Sequence, residues 1–168
     1  MKNIKTEIKW AVIFVVASLL WMGLERFLGL HGEHIDKHST YTMLFAIPAI
    51  TIFVLALLDK RKNYYHGFMS YKQGFVSGLI ITLIVAALSP LTQFITSEFI
   101  SPDYFSNVIE YSVATGELER SVAEEHFNYR SYAVQAVIGA VLMGVITSAV
   151  VAIFTRRKRK GDQNPLAA

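Results

Sequence analysis

Apolar residues in this chain gather into four long runs, and the charges fall almost wholly between them. The runs cover about residues 10–30, 41–58, 75–97 and 131–154. A helix that crosses the hydrocarbon layer needs about 20 mostly apolar residues at 1.5 Å of rise each, and all four runs fall in that window. The pattern predicts an all-α integral membrane bundle of four transmembrane helices. The first run follows Lys2, Lys5 and Lys9, as a signal peptide would. It is longer than a signal's apolar core and no small-x-small cleavage site follows it, so it reads as a retained anchor.

The connections differ in kind. Residues 31–40 form a short polar link, read as a loop. The second link, about residues 96–131, carries helix signals. Ser101-Pro102 reads as an N-cap followed by proline at the first helical position. Tyr104, Val108 and Tyr111 then share a face, Gly116 reads as a stop, and Ser121 to Glu124 reads as a capping box whose helix continues into the fourth span. Short amphipathic helices are therefore expected here, the first lying at the interface with its apolar side down. Tyr104, Phe105, Tyr111, Phe127, Tyr129 and Tyr132 are expected to form an aromatic belt.

Charge orients the bundle. Residues 1–9, 59–74 and 155–168 hold twelve of the sixteen basic residues against Glu7, Asp59 and Asp162. The remaining segments hold Arg26, Lys37, Arg120 and Arg130 against ten acids. Excess Lys and Arg marks the cytoplasmic side, so both termini are expected in the cytoplasm. The same placement removes nucleic acid as the reason for a pI near 9.1, since the base flanks apolar runs. Residues 1–158 are expected as one membrane domain and 159–168 as a disordered cytoplasmic tail. The absence of cysteine excludes disulfides, thiolate metal sites and cysteine nucleophiles.

Small residues recur every fourth position in two of the runs. The third carries Gly74, Gly78, Thr82 and Ala86; the fourth carries Ala136, Ala140, Gly144, Ser148 and Ala152. In lipid, helices associate through close backbone approach rather than hydrophobic drive, and small-xxx-small faces permit it. The third and fourth helices are expected to pack along these faces.

Polar residues inside the runs are the other candidates for function. Pro90 removes a backbone hydrogen bond and frees a carbonyl near Ala86, which a neighbouring Ser or Thr can satisfy. Glu25, Arg26, Ser89, Gln93 and Gln135 all fall toward the outer ends of their helices and form a candidate polar cluster. His31, His34 and His38, with Glu33 and Asp36 between them, are candidate metal ligands. Their spacing matches no established signature and Gly32 disfavours a helix, so the segment reads as a solvated loop, with no metal or other cofactor expected. No phosphate loop, serine elbow, metalloprotease motif or dinucleotide fingerprint is present, and no catalytic residue is assigned.

The opening residues Met1 to Trp10, the Gly67-Phe-Met-Ser-Tyr-Lys-Gln-Gly74 turn and the Leu88-Ser-Pro-Leu-Thr92 kink resemble a bacterial membrane family catalogued as domain of unknown function 4199. The resemblance implies a four-helix protein of the bacterial inner membrane and carries over no catalytic or binding residue. The resulting expectation is a non-enzymatic membrane protein whose partners are the bilayer and other membrane proteins or a second copy. A small-solute transporter or ion conduit is the alternative. A transporter should show a continuous polar cavity lined by Glu25, Ser89, Gln93 and Gln135; an enzyme should bring His31, His34 and His126 together; a partner-binding protein should show neither, but an exposed apolar or acidic patch.

Overall fold

A computed structural model describes residues 4–157, so the expected tail at 159–168 and the basic residues Lys2, Lys158, Arg159 and Lys160 lie outside the described residues. Helix α1 spans Lys5–Phe27. Helix α2, Ile35–Tyr41, passes through a 3₁₀ turn at Thr42–Phe45 into α3, Ala46–Asn63. Helix α4, Tyr71–Ile95, continues through a π turn at Thr96–Ile100. Helices α5, Tyr104–Ala114, and α6, Arg120–His126, precede α7, Tyr129–Thr155. Four stretches are long and apolar enough to cross a bilayer: Lys5–Phe27, Ile35–Asn63, Tyr71–Ile100 and Tyr129–Thr155. Their outward surfaces carry exposed apolar side chains such as Leu20, Ile47, Leu142 and Phe154, as hydrocarbon rather than water requires.

The helices run up and down, which gives the bundle a basic and an acidic face. At the basic face Lys9 pairs with Asp59 at 2.6 Å, and Trp10 donates to the same carboxylate at 2.7 Å. Arg61 donates to the Thr155 carbonyl at the end of α7 at 2.8 Å, satisfying one of its orphan acceptors. Met69 and Arg157 exchange two backbone hydrogen bonds, 3.0 and 2.8 Å, tying the α3–α4 turn to the residues that follow α7. Buried beneath these contacts, Lys60 pairs with Glu7 at 2.9 Å, and Ser77 donates to the other Glu7 oxygen at 2.7 Å. That triad links α1, α3 and α4. Helix α4 begins with a capping box, Ser70 and Gln73 each bonding the other's backbone.

The most extensive contact is between α4 and α7. Gly74 lies against Ala152, Gly78 against Ser148 and Thr82 against Gly144, so each four-residue step along α4 meets a four-residue step back along α7. Ala86 is buried further along α4, while Ala140 is half-buried against the core and Ala136 is half-buried beyond it. A Cβ on Gly144 would overlap the Thr82 side chain, which is why glycine stands there. Pro90 leaves α4 unbroken: the Ser89 hydroxyl donates to the Ala86 carbonyl at 2.8 Å, the acceptor the proline abandons. Pro48 has no N–H for the Leu44 carbonyl, and the chain tightens into the 3₁₀ turn just before it.

Several boundaries depart from the sequence reading. The first helix ends at Phe27 rather than about residue 30. Gly29 adopts φ +77°, its N–H bonds the Arg26 carbonyl and the Leu30 N–H bonds the Glu25 carbonyl. This is a Schellman stop, and glycine accepts its left-handed backbone without a Cβ clash. Residues 31–40 are not a solvated loop, because α2 begins at Ile35 and His31 is buried. Ser101 does not cap α5; Asp103 holds that position without a side-chain bond, because the Ser101 hydroxyl is engaged by His31 and Arg26. Ser121 and Glu124 make no capping box, since α6 starts at Arg120 after Glu119. Nor does α6 run into the fourth span: Asn128 interrupts, accepting from the Ser131 N–H to cap α7.

Candidate functional site

The Schellman turn at Gly29 folds the chain back over the end of α1, and this places a cluster of polar side chains inside the acidic face. Glu25 is its centre, only 1% exposed. Trp21, four residues earlier on the same helical face, donates Nε1–H to Glu25 Oε1 at 2.6 Å. His31 Nε2 lies 3.3 Å from Glu25 Oε2, and His38 Nε2 lies 3.4 Å from the same oxygen. Three ligand atoms, one from each of Glu25, His31 and His38, fall within 4.8 Å of one another.

The remaining ring nitrogens are held from behind. Ser101 Oγ lies 2.8 Å from His31 Nδ1, and Arg26 donates to the same hydroxyl at 3.2 Å while approaching Asp103 at 3.9 Å. The Tyr104 hydroxyl lies 3.4 Å from His38 Nδ1 and 3.4 Å from the Tyr132 hydroxyl. Asn107 donates to the His31 carbonyl at 2.9 Å. The rings of His31, His38 and Tyr104 pack as a triangle with centroids 5.1–5.2 Å apart. Burial, reinforced by Tyr132 and Glu25, pushes the Tyr104 phenol far above its ordinary pKa, so it stays neutral and can both donate and accept. The expected aromatic belt is thus partly an internal cluster: Tyr104, Phe105, Phe127 and Tyr132 pack on one another.

Above the cluster is a cavity of about 580 Å³. His31, His38, Gln93, Tyr104, Glu117 and Gln135 are among the residues that line it. The five residues expected to form one polar cluster therefore separate. Gln93 and Gln135 reach the cavity but bond Ser97 and Ser131 of their own helices; Ser89 is occupied with the Ala86 carbonyl; Arg26 turns to Ser101; Glu25 takes the histidines. Of the three candidate ligands, His31 and His38 meet at Glu25. His34 is exposed, its ring against Gly29, and His126 is exposed against Phe127. The joining residues Trp21, Ser101 and Asn107 carry little sequence signal. Only the i, i+4 spacing of Trp21 and Glu25 on one helix was readable.

A bundle of four membrane-crossing helices capped on one face by short helices, with a buried carboxylate–histidine cluster under that cap, defines the class: a multi-pass helical membrane protein. The chain matches the family described as Protein of unknown function (DUF4199) over residues 9–157, and it belongs to that family. No curated protein and no solved structure matches it.

Proposed function

We propose that the chain is a non-enzymatic multi-pass protein of a bacterial inner membrane, with both termini in the cytoplasm, that receives a small ligand on its outer side and acts through neighbouring membrane proteins. The observation that carries this reading is the cavity of about 580 Å³ at the acidic face, formed by the helical cap and the outer ends of the spans, with His31, His38, Gln93 and Gln135 among its lining. Beneath it, the contacts of Thr82 with Gly144 and Gly78 with Ser148 leave no width for a solute between α4 and α7. A seam that offers no route between these two helices suits binding rather than passage. The orientation is supported by the charge asymmetry, with Lys9, Arg61, Lys72 and Arg157 all at the other face. The exposed apolar sides of the spans supply the surfaces for lipid and for partner helices.

Transport is the second reading, and one feature favours it. Thr42 lines both the outer cavity and a mostly apolar cleft of about 520 Å³ between α1, α3, α4 and α7.

The chain has no cysteine, so single cysteines report sidedness cleanly. Glu117→Cys, at the cavity, should react with a membrane-impermeant maleimide in intact spheroplasts. Lys72→Cys should react only after permeabilisation. The reverse pattern overturns the orientation, and solute flux through proteoliposomes containing the protein overturns binding in favour of transport.

A further inference from the structure

We infer that Glu25, His31 and His38 form a binding site for a divalent transition metal ion of the zinc class, opening on the outer cavity. This names the ligand of the cap and rests on the function proposed above only for the side from which the ion arrives.

Three observations carry it. The first is spacing. A hydrogen bond from imidazole N–H to a carboxylate is typically about 2.7–2.9 Å long. Here the two Nε2 atoms stand 3.3 and 3.4 Å from one oxygen. The edge of a tetrahedron is about 1.63 times its centre-to-vertex distance, so metal bonds of about 2.0–2.1 Å to nitrogen and oxygen place ligand atoms about 3.3–3.4 Å apart. Two edges of the site already have that length. The three residues are also close enough as a set, since one ligand atom from each falls within 4.8 Å of the others.

The second is the donor set. Two neutral imidazoles and one carboxylate suit zinc and its late first-row neighbours better than magnesium or calcium, which take oxygen shells. Three protein ligands leave one position open, and His31 and His38 both line the cavity from which a water or small ligand would fill it.

The third is the support behind the ligands. A ligating histidine usually has its other nitrogen held by a hydrogen-bonding partner. His31 Nδ1 has Ser101 and His38 Nδ1 has Tyr104. Both partners are hydroxyls, which can donate to a bare Nδ1 or accept from Nδ1–H. When the metal takes both Nε2 atoms, each ring carries its proton on Nδ1, and the hydroxyls reverse direction without moving. Ser101 has a lone pair beyond the one Arg26 uses, and Tyr104 can then donate to Tyr132.

Trp21 gives a built-in probe, because its indole is 2.6 Å from Glu25 Oε1 and the chain has only one other tryptophan, Trp10, at the basic face. The full chain bearing Trp10→Phe and no polyhistidine tag is purified in detergent, stripped with chelator and titrated with Zn²⁺, Co²⁺ and Mg²⁺. Trp21 emission should change and saturate at one equivalent of Zn²⁺ or Co²⁺. Co²⁺ should develop the intense visible bands of tetrahedral coordination, and Mg²⁺ should do nothing. Glu25→Gln and His38→Ala should each weaken Zn²⁺ by more than about 100-fold, beyond the 10–100-fold typical of an outer-shell partner. His34→Ala should leave binding unchanged. Absence of saturable binding and of the Co²⁺ bands in the parent protein overturns the site, whatever the variants do. Equal loss in His34→Ala overturns these ligands. Metal binding combined with cytoplasmic labelling of Glu117→Cys would keep the site and discard the orientation, so the two proposals fail separately.

Discussion

Gly78 of α4 meets Ser148 of α7 so closely that a Cβ built on the glycine would lie 2.6 Å from the Ser148 Cβ and 3.2 Å from its Cα. Rotating the serine would swing its Oγ aside but would move neither its Cβ nor its Cα, both of which the backbone fixes. Gly78→Leu, or even Gly78→Ala, should force the helices apart. Overpacking of this kind costs about 1–3 kcal/mol. Gly23 is the internal control: it lies within α1 with nothing inside 4 Å of its would-be Cβ. Gly23→Ala should be neutral or stabilising by up to about 1 kcal/mol through helix propensity. Thermal unfolding in micelles measures both. Equal midpoints for Gly78→Ala and the parent would show that the seam is not tight.

Glu7 and Lys60 form a buried ion pair 53 residues apart in the chain, and Ser77 completes it. Both charges are nearly inaccessible, at 2% and 3% exposure, so removing Lys60 takes the countercharge from a buried carboxylate that Ser77 continues to hydrogen-bond. Loss of one partner of a buried pair typically costs about 3–5 kcal/mol, whereas replacing both by uncharged groups of similar volume is often close to neutral. Lys60→Met should therefore be severely destabilising, and adding Glu7→Gln should restore most of the loss. A double-mutant cycle on unfolding midpoints reads the coupling. Additive effects would mean that the pair is solvated and contributes little.

The two cases mark where the sequence is informative. The α4–α7 seam was legible because its signal is local, small residues at every fourth position on two separate helices. The four spans were legible because hydrocarbon demands long uninterrupted apolar runs. Glu7 and Lys60 read only as topology charges, since nothing within either segment points to the other. The acidic-face cluster was half legible. Glu25, His31 and His38 each stood out as polar groups beside an apolar run, but in separate groupings. Joining them takes the left-handed Gly29, which reverses the chain after α1, and Ser101, 70 residues beyond His31. The Ser101-Pro102 pair looked like a helix start because its local chemistry suits one; tertiary contacts with His31 and Arg26 claimed the hydroxyl instead.

That competition makes Ser101 a sharp test of the cluster's energetics. The residue is 1% exposed and its only side-chain bonds are with Arg26 and His31 among the described residues. In Ser101→Ala, Arg26 loses little, because its exposed guanidinium can turn to water or to Asp103. His31 cannot compensate in the same way, being 3% exposed, so its Nδ1 loses its partner inside the protein. A buried polar atom left unsatisfied costs about 1–3 kcal/mol. Ser106 offers the comparison: it is exposed and, among the described residues, its hydroxyl bonds only the local Asp103 carbonyl, so Ser106→Ala should fall within about 0.5 kcal/mol of the parent. Ser101→Thr keeps a hydroxyl and should recover part of the loss if the added methyl finds room beside the histidine. Unfolding midpoints of the three variants in one detergent decide the matter. If Ser101→Ala were as benign as Ser106→Ala, water would have to reach His31, and the acidic-face cluster would be an open polar surface rather than a buried network.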